Sequence, residues 1–384
     1  MKRIAGLYEQ IISIENLKLA DKKARRGKTC TVLVRQKDGS VKKETVYVYG
    51  IRLFDKDRDN NLMKLHESLK YHTFKTSPYD VFPVYEPKER MIYRLPYYPD
   101  RIVHHAIMNV LEPIWVKTFT YNTYSCVKGR GIEGCAQHVG KMMRKYKGKP
   151  MYCLKIDLKK FYPSIKHHVL KRIVRRKIKD KELLWLLDEI IDSVNDTPPI
   201  RNIEADLAGN AVVTSVNDPH GLPIGNYLSQ YLANLQMCYF MHKVNEEWKI
   251  DCEEYADDFS FYSESKEKLH KFFHEFVKPY IEQELELKVK DNWQVFPIAA
   301  NRYDKGGRAL DYVGYKFYRK QKLIRKSIKQ NFCRVAARLN KRRKPLDAKA
   351  YKQAVAPWLG WAQHSDSKHL LQTIIKQEYY DSIL

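Results

Sequence analysis

Two adjacent carboxylates, Asp257 and Asp258, stand between apolar, aromatic-rich runs in the stretch Cys252–Ser263, CEEYADDFSFYS. The runs read as strands over Cys252–Tyr255 and Phe259–Ser263, with Ala256-Asp257-Asp258 as the tight connection. Acids at a hairpin tip are often no more than solvated turn residues. A second acid-tipped strand about a hundred residues upstream weakens that reading. Met151–Leu158, MYCLKIDL, alternates so that Tyr152, Leu154 and Ile156 share one face and Cys153, Lys155 and Asp157 the other. If the hairpin pairs beside this strand, three carboxylates converge, repel, and push one pKa up. A divalent cation removes the conflict, and an oxygen-only cluster that stays partly hydrated suits magnesium.

The surrounding chain is strongly basic: 70 Lys and Arg against 45 acids give 384 residues a formal charge of +25. Solubility needs far less, so a polyanionic partner is expected, by default nucleic acid. The 27 tyrosines offer stacking surfaces for bases as well as core. Seven scattered cysteines show neither a C-x-x-C pair nor zinc spacing, which fits free thiols in a reducing cytoplasm. No apolar run has bilayer-spanning length, and the acid-bearing amphipathic N-terminus does not resemble a signal peptide.

Periodicity predicts the elements that position these groups. Residues 1–20 read as a helix, 45–54 as a strand and 60–72 as a helix. Val81–Pro96 reads as a hairpin turned at Pro87-Lys88-Glu89, with Arg94 on one arm either reaching phosphate or ion-paired at the surface. Asp100 is a natural N-cap for a helix with Ile102, Val103, Ala106, Ile107, Val110 and Leu111 on its apolar stripe. His104 and His105 fall off that stripe, toward the surface. In YNTYSCVKGRGIEGC, residues 121–135, glycines and two cations, Lys128 and Arg130, form a loop suited to a triphosphate or simply a basic surface loop. Tyr162 follows Asp157 by five residues. A helix with Leu183, Leu184, Leu187, Ile190 and Ile191 on one face precedes a polar segment, 192–219, that reads as an insertion or mobile loop. In Gly221–Asn234, GLPIGNYLSQYLAN, Leu228, Tyr231 and Leu232 point to core, while Asn226, Ser229, Gln230 and Ala233 form a small polar face able to carry a flat substrate. Residues 311–324 read as a hairpin with Gly314 allowing close backbone approach. Arg319–Lys344 then holds twelve basic residues and no acid, with Arg325 and Lys329 on one helical face.

Assembled, these parts resemble a reverse transcriptase along nearly the whole chain. Asp157 with Phe161-Tyr162 looks like the first catalytic motif, Tyr255-Ala256-Asp257-Asp258 like the Tyr-x-Asp-Asp box, and Val313-Gly314-Tyr315-Lys316-Phe317 like the primer grip. Arg94, Asp100-Arg101 and Lys128-Gly129-Arg130 match the fingers of bacterial, group II intron-like enzymes. One departure narrows the resemblance: where most relatives carry Gln-Gly-x-x-x-Ser-Pro, this chain reads Ile224-Gly225-Asn226-Tyr227-Leu228-Ser229-Gln230. The aliphatic residue and the Ser-Gln pair are similar to reverse transcriptases of diversity-generating retroelements. A second departure is Val127, where the bacterial fingers motif usually has Arg; triphosphate contacts then fall on Lys128 and Arg130.

The resemblance implies an α+β right-hand polymerase, with fingers and palm over residues 1–324 and a helical thumb over 325–384. It implies two Mg2+ ions, with Mn2+ as a substitute, at Asp157, Asp257 and Asp258. It implies nucleotide contacts from Lys128, Arg130, Tyr162, Ile224, Gly225, Ser229 and Gln230, and nucleic-acid contacts from Arg94, Tyr255, Gly314, Arg325, Lys326 and Lys329. The implied partners are template RNA, a primer or cDNA strand, dNTPs and a small basic pentameric accessory protein, in the cytoplasm of a bacterium or encoded by its phage, without a membrane. The alternatives are an intron-encoded or defence-associated enzyme, the former expected to add a DNA-binding or endonuclease domain after the thumb, and a non-catalytic basic RNA-binding scaffold.

Overall fold

The computed structural model of the protein describes residues 3–35, 40–85, 89–194, 200–205, 211–216 and 218–383. Its contacts divide the α+β chain into two compact units, each discontinuous in sequence. One comprises Met1–Thr120, Lys159–His242 and Tyr280–Lys288, the other Tyr121–Leu158, Lys243–Pro279 and Val289–Leu384. Among the described residues no helix is long and apolar enough to cross a membrane, and all seven cysteines are free.

The second unit is built on a four-stranded antiparallel sheet. Its order is Gln294–Pro297, Tyr152–Asp157, Asp258–Ser263, Asp251–Tyr255. The two acid-tipped elements therefore lie side by side, as their sequences predict. The Asp157 strand is central and covered on both faces, which explains its run of apolar residues. Cys153, with Tyr262 and Phe296, packs into a core with Cys135, Val139 and Met143 of the helix Gly131–Lys145. On the opposite side Phe261 meets Phe272, 5.2 Å between ring centres, from the helix Lys266–Phe272. A three-stranded sheet, Leu310–Tyr312, Tyr315–Phe317 and Lys322–Ile324, contributes Leu310, Tyr312, Tyr315 and Phe317 to the same core as Cys153. Four helices follow, Lys326–Asn340, Ala348–Gln363, Lys368–Ile374 and Gln377–Ile383, around Phe332, Tyr351, Val355, Leu359 and Leu371. Trp358 and Trp361 are half-buried at its margin.

The first unit is mainly helical and corrects several expectations. The N-terminal helix is two, Tyr8–Ile12 and Ile14–Ala24, broken at Ser13, whose hydroxyl accepts from the Asn16 amide and caps the second. The strand expected at 45–54 ends at Tyr47 and gives way to a helix, Tyr49–Asp55, because Ile51 and Phe54 find buried positions at helical spacing. Asp100 does not cap the next helix, Ile102–Thr118. It is buried in the preceding turn, where its carboxylate accepts from the Ser77 amide at 2.9 Å. His104 is not at the surface but buried, and burial holds its imidazole down at about 3, neutral at physiological pH. In the helix Lys181–Asp192 Leu186 takes the fully buried place expected of Leu184. The segment 192–219 contains a hairpin, Ile200–Ala205 with Ala211–Val216, while Pro198-Pro199 lies outside the described residues. The hairpin Asp80–Val84 with Arg90–Arg94 forms as expected, though its turn residues Pro87 and Lys88 also lie outside them.

One glycine is fixed by packing. Val313 and Gly314 turn the chain with left-handed φ values of 38° and 85°, and a Cβ at Gly314 would overlap the Trp361 ring and come within 3.2 Å of Ile328. Gly314→Ala is expected to lower stability by about 1–3 kcal/mol in urea denaturation, and adding Trp361→Leu to recover part of the loss. A Gly314→Ala protein as stable as wild type would remove the contact as the reason for glycine.

Candidate active site

The hairpin Asp251–Tyr255 and Asp258–Ser263 closes through only Ala256 and Asp257, since Tyr255 and Asp258 are already paired. Such a short closure demands an unusual backbone, and Ala256 supplies it with φ 57°. The result projects Asp257 from the tip and sets Asp258 directly opposite Asp157 in the ladder. The backbone ties the two tips further. The Leu158 amide donates to the Asp257 carbonyl at 3.2 Å, and the Lys290 amide donates to the Asp157 carbonyl at 2.9 Å.

Two lysines answer the accumulated negative charge. The Lys290 ammonium donates to Asp157 Oδ1 at 2.6 Å. The Lys155 ammonium lies 3.5 Å from Asp258 Oδ1 and donates to the Asp311 carbonyl at 2.8 Å. Burial is the largest influence on Asp258 and pushes its carboxyl up. Lys155 pulls it back, while Asp157 and Asp257 push it up again. The Tyr312 hydroxyl donates to the Asp258 carbonyl at 2.8 Å, fixing the hairpin tip from the three-stranded sheet. Neither Lys290 nor Tyr312 stands out in sequence, because the contacts that give them a role are long-range. Lys155 was visible only as the neighbour sharing a face with Asp157.

The donor chemistry fits a hard divalent cation: three half-exposed carboxylates and no thiolate or imidazole. Among the described residues no three His, Cys, Asp or Glu side chains are gathered closely enough to form a ready metal cage.

Behind the tip lies a buried polar layer that sequence patterning misses, because a strand written Cys-Glu-Glu-Tyr gives no sign that both acids point inward. Glu253 accepts from Ser260 at 2.8 Å and meets His138 Nδ1 at 2.9 Å. Glu254 accepts from the Thr123 hydroxyl at 2.8 Å, and its second oxygen has no partner. Burial raises the Glu254 carboxyl to about 8, opposed by Thr123 and Arg130. Asn122 and Tyr124 pair with the Glu254 backbone, so the Lys128-Gly129-Arg130 loop hangs from the hairpin that carries Asp257 and Asp258. Lys128 is exposed, and Arg130 donates to the Thr123 carbonyl at 2.8 Å.

Other predicted residues divide between the units. Tyr255, Gly314, Arg325, Lys326 and Lys329 share the carboxylates' unit. Arg325 pairs with Asp311 at 2.6 Å, and Lys326 and Lys329 are exposed on the following helix. Arg94, Tyr162, Ile224, Gly225, Ser229 and Gln230 belong to the first unit. There Arg94 is ion-paired with Asp80, the surface alternative. The Tyr93 amide donates to the Ile224 carbonyl at 2.9 Å, and Asn226 donates to the Tyr93 carbonyl at 3.2 Å. Ser229 is buried, Tyr162, Ile224 and Gln230 are half-buried, and Gly225 is exposed.

A family model described as reverse transcriptase (RNA-dependent DNA polymerase) matches residues 84–315, more than half of the chain. That match assigns the α+β fold to the right-hand polymerase class expected from the motifs. Protein YkfC of Escherichia coli (strain K12) is 25% identical over 169 residues, covering 43% of this chain and 41% of that protein. Among solved structures, apo telomerase from Candida tropicalis aligns at 12% identity with a TM-score of 0.47, over 94% of this chain and 68% of the other. Telomerase from Candida albicans in complex with a TWJ fragment of telomeric RNA aligns at 11% identity with a TM-score of 0.44, over 83% and 59%. The chain thus spans about two fifths of the curated relative's length.

Glu254 gives the site a pH signature. Its protonated form stabilises the fold fully below about 4.5, the ordinary value, and that contribution is lost as pH rises through about 8. Glu254→Gln, neutral throughout, is expected to gain in melting temperature over wild type as pH rises from about 5 to about 9. Parallel pH profiles for the two proteins would show that Glu254 is not held protonated.

Proposed function

This chain belongs to the reverse transcriptase family, and from that premise we propose that it extends a DNA strand along an RNA template at the Asp157, Asp257 and Asp258 cluster. The observation that carries this reading is the ladder pair Asp157 and Asp258, with Asp257 at the adjoining two-residue turn. Divalent cations held by Asp157 and Asp257, with Asp258 as an additional carboxylate, would activate the primer 3′-hydroxyl and shield the leaving pyrophosphate; two Mg2+ ions, or Mn2+ in their place, suit this role. The chain itself supplies position and charge. Lys155 and Lys290 offset the charge of Asp258 and Asp157 before substrate arrives. Lys128 and Arg130 meet the triphosphate of a dNTP, and Tyr162 under the sugar excludes a 2′-hydroxyl. Ser229, Gln230 and Gly225 border the nascent base pair. Tyr255, Gly314, Arg325, Lys326 and Lys329 track template and primer, with residues 325–384 as the thumb.

Ile224 supports a narrower reading, a diversity-generating retroelement enzyme. An aliphatic side chain cannot make the hydrogen bond that an amide at this position offers near the incoming nucleotide. Each such bond contributes about 1 kcal/mol, roughly fivefold in selectivity. In this reading the enzyme copies a template-repeat RNA with frequent errors at adenine, aided by a small basic pentameric accessory protein in the cytoplasm.

Asp257→Asn is expected to abolish dNTP incorporation on a primed RNA template while RNA affinity stays within about twofold. Incorporation above the no-enzyme background would defeat the assignment. Ile224→Gln is expected to lower misincorporation opposite template adenine about fivefold, read by sequencing the cDNA. Equal error rates would reject the fidelity role of Ile224.

A further inference from the structure

A cavity of about 320 Å³ in the first unit is lined by Lys159, Lys160, Lys166 and Lys288, together with His220 and Glu286. None of these residues belongs to the carboxylate cluster or to the nucleotide and nucleic-acid contacts assigned above. Of the four ammonium groups, Lys166 is paired with Asp218. Among the described residues Lys159, Lys160 and Lys288 have no acidic partner within ion-pair distance, and Glu286 is occupied by His168 at 2.8 Å.

Backbone bonds hold the segments of this cluster together. The Lys159 amide donates to the Lys288 carbonyl at 2.8 Å. Lys166 and His220 form an isolated antiparallel bridge, and the Gly221 amide donates to the Ile165 carbonyl at 2.9 Å. The Ser164 hydroxyl donates to the Lys159 carbonyl at 3.3 Å. Lys160 is held at φ 46°, a left-handed backbone that non-glycine residues resist. Three segments are thus stitched so that like charges face one hollow. Repulsion among them is relieved by an anion with several oxygens, and the volume accommodates a short oligophosphate.

We infer that this lysine-lined cavity is a phosphate-binding site that takes a polyphosphate chain or the backbone phosphates of a bound strand. Phosphate is the shared chemistry, since lysine ammonium groups bind it as point charges without the planar fork that carboxylate recognition favours. The inference stands apart from the polymerase reading, because binding here needs neither metal nor the carboxylates.

The test uses the full chain in excess EDTA. Isothermal titration with tripolyphosphate and a parallel titration with a single-stranded RNA oligonucleotide are run on wild type, Lys160→Gln/Lys288→Gln and Asp257→Asn. A control carries Lys56→Gln/Lys64→Gln, two exposed lysines of the same unit outside the cavity. If a free polyphosphate is the ligand, tripolyphosphate binds wild type at one site and about tenfold or more weaker to the cavity variant, with the control and Asp257→Asn unchanged. If a strand is the ligand, tripolyphosphate fails to bind any protein, and RNA affinity falls about tenfold in the cavity variant alone. Equal behaviour of cavity and control variants toward both ligands overturns the site. Loss of polymerisation in Asp257→Asn bears only on the polymerase reading.

Discussion

Repulsion between neighbouring carboxylates is the constraint on which the second unit is organised. Asp157 and Asp258 face each other across a ladder, and Asp257 adjoins them. Left in an apolar surrounding, such acids would take up protons or push their strands apart. The fold prevents the second by giving the strands no freedom. The Asp157 strand is paired on both sides and covered on both faces, and Tyr312 holds the hairpin tip from a separate sheet. Lys155 and Lys290 then balance the charge without burying it, since all four side chains of the two ion pairs remain partly exposed. Partial exposure also keeps the acids accessible to an incoming cation.

Rigidity at the tip has a cost further inside. The strand that carries the Tyr255-Asp258 turn also carries Glu253 and Glu254, both fully buried. Glu253 is satisfied by Ser260 and His138, but Glu254 keeps one oxygen without a partner, and burial holds its proton on. A neutral Glu254 is therefore the form compatible with the packing. Its hydrogen bond from Thr123 also fastens the 122–124 segment to the hairpin, and with it the Lys128–Arg130 loop. The electrostatics of the buried layer and the placement of an exposed cationic loop are one arrangement.

Local chemistry made the acid-tipped strands legible from sequence, together with the Gly314 turn and the amphipathic helices, whereas the hairpin expected at 311–324 is a three-stranded sheet. Each of these depends on alternation, turn residues or helical spacing that a short window contains. What stayed hidden depends on distant partners. Asp100 is an ideal cap in isolation, yet the Ser77 amide claims it. His104 lies off the expected stripe, yet its helix is covered on more than one side. Val-Tyr-Val-Tyr at 46–49 reads as strand by composition, yet Ile51 and Phe54 pull the chain into a helix at Tyr49. Lys290, whose ammonium pairs with Asp157, lies two residues from Lys288, and nothing local distinguishes the two.

The turn at Ile224 shows how a side chain can vary without disturbing its scaffold. Its backbone is fixed by the Tyr93 amide on the Ile224 carbonyl and by Asn226 on the Tyr93 carbonyl. Gly225, at φ 110°, is constrained as well, since an added Cβ would lie 3.1 Å from Ile92. None of these interactions uses the Ile224 side chain, which is only half-buried. An amide or an aliphatic group can therefore occupy the same backbone, and the difference between them is confined to what the side chain offers outward. A position with that property can change hydrogen-bonding character at little expense to stability, whereas Gly225 beside it cannot change at all without moving Ile92 or straining φ.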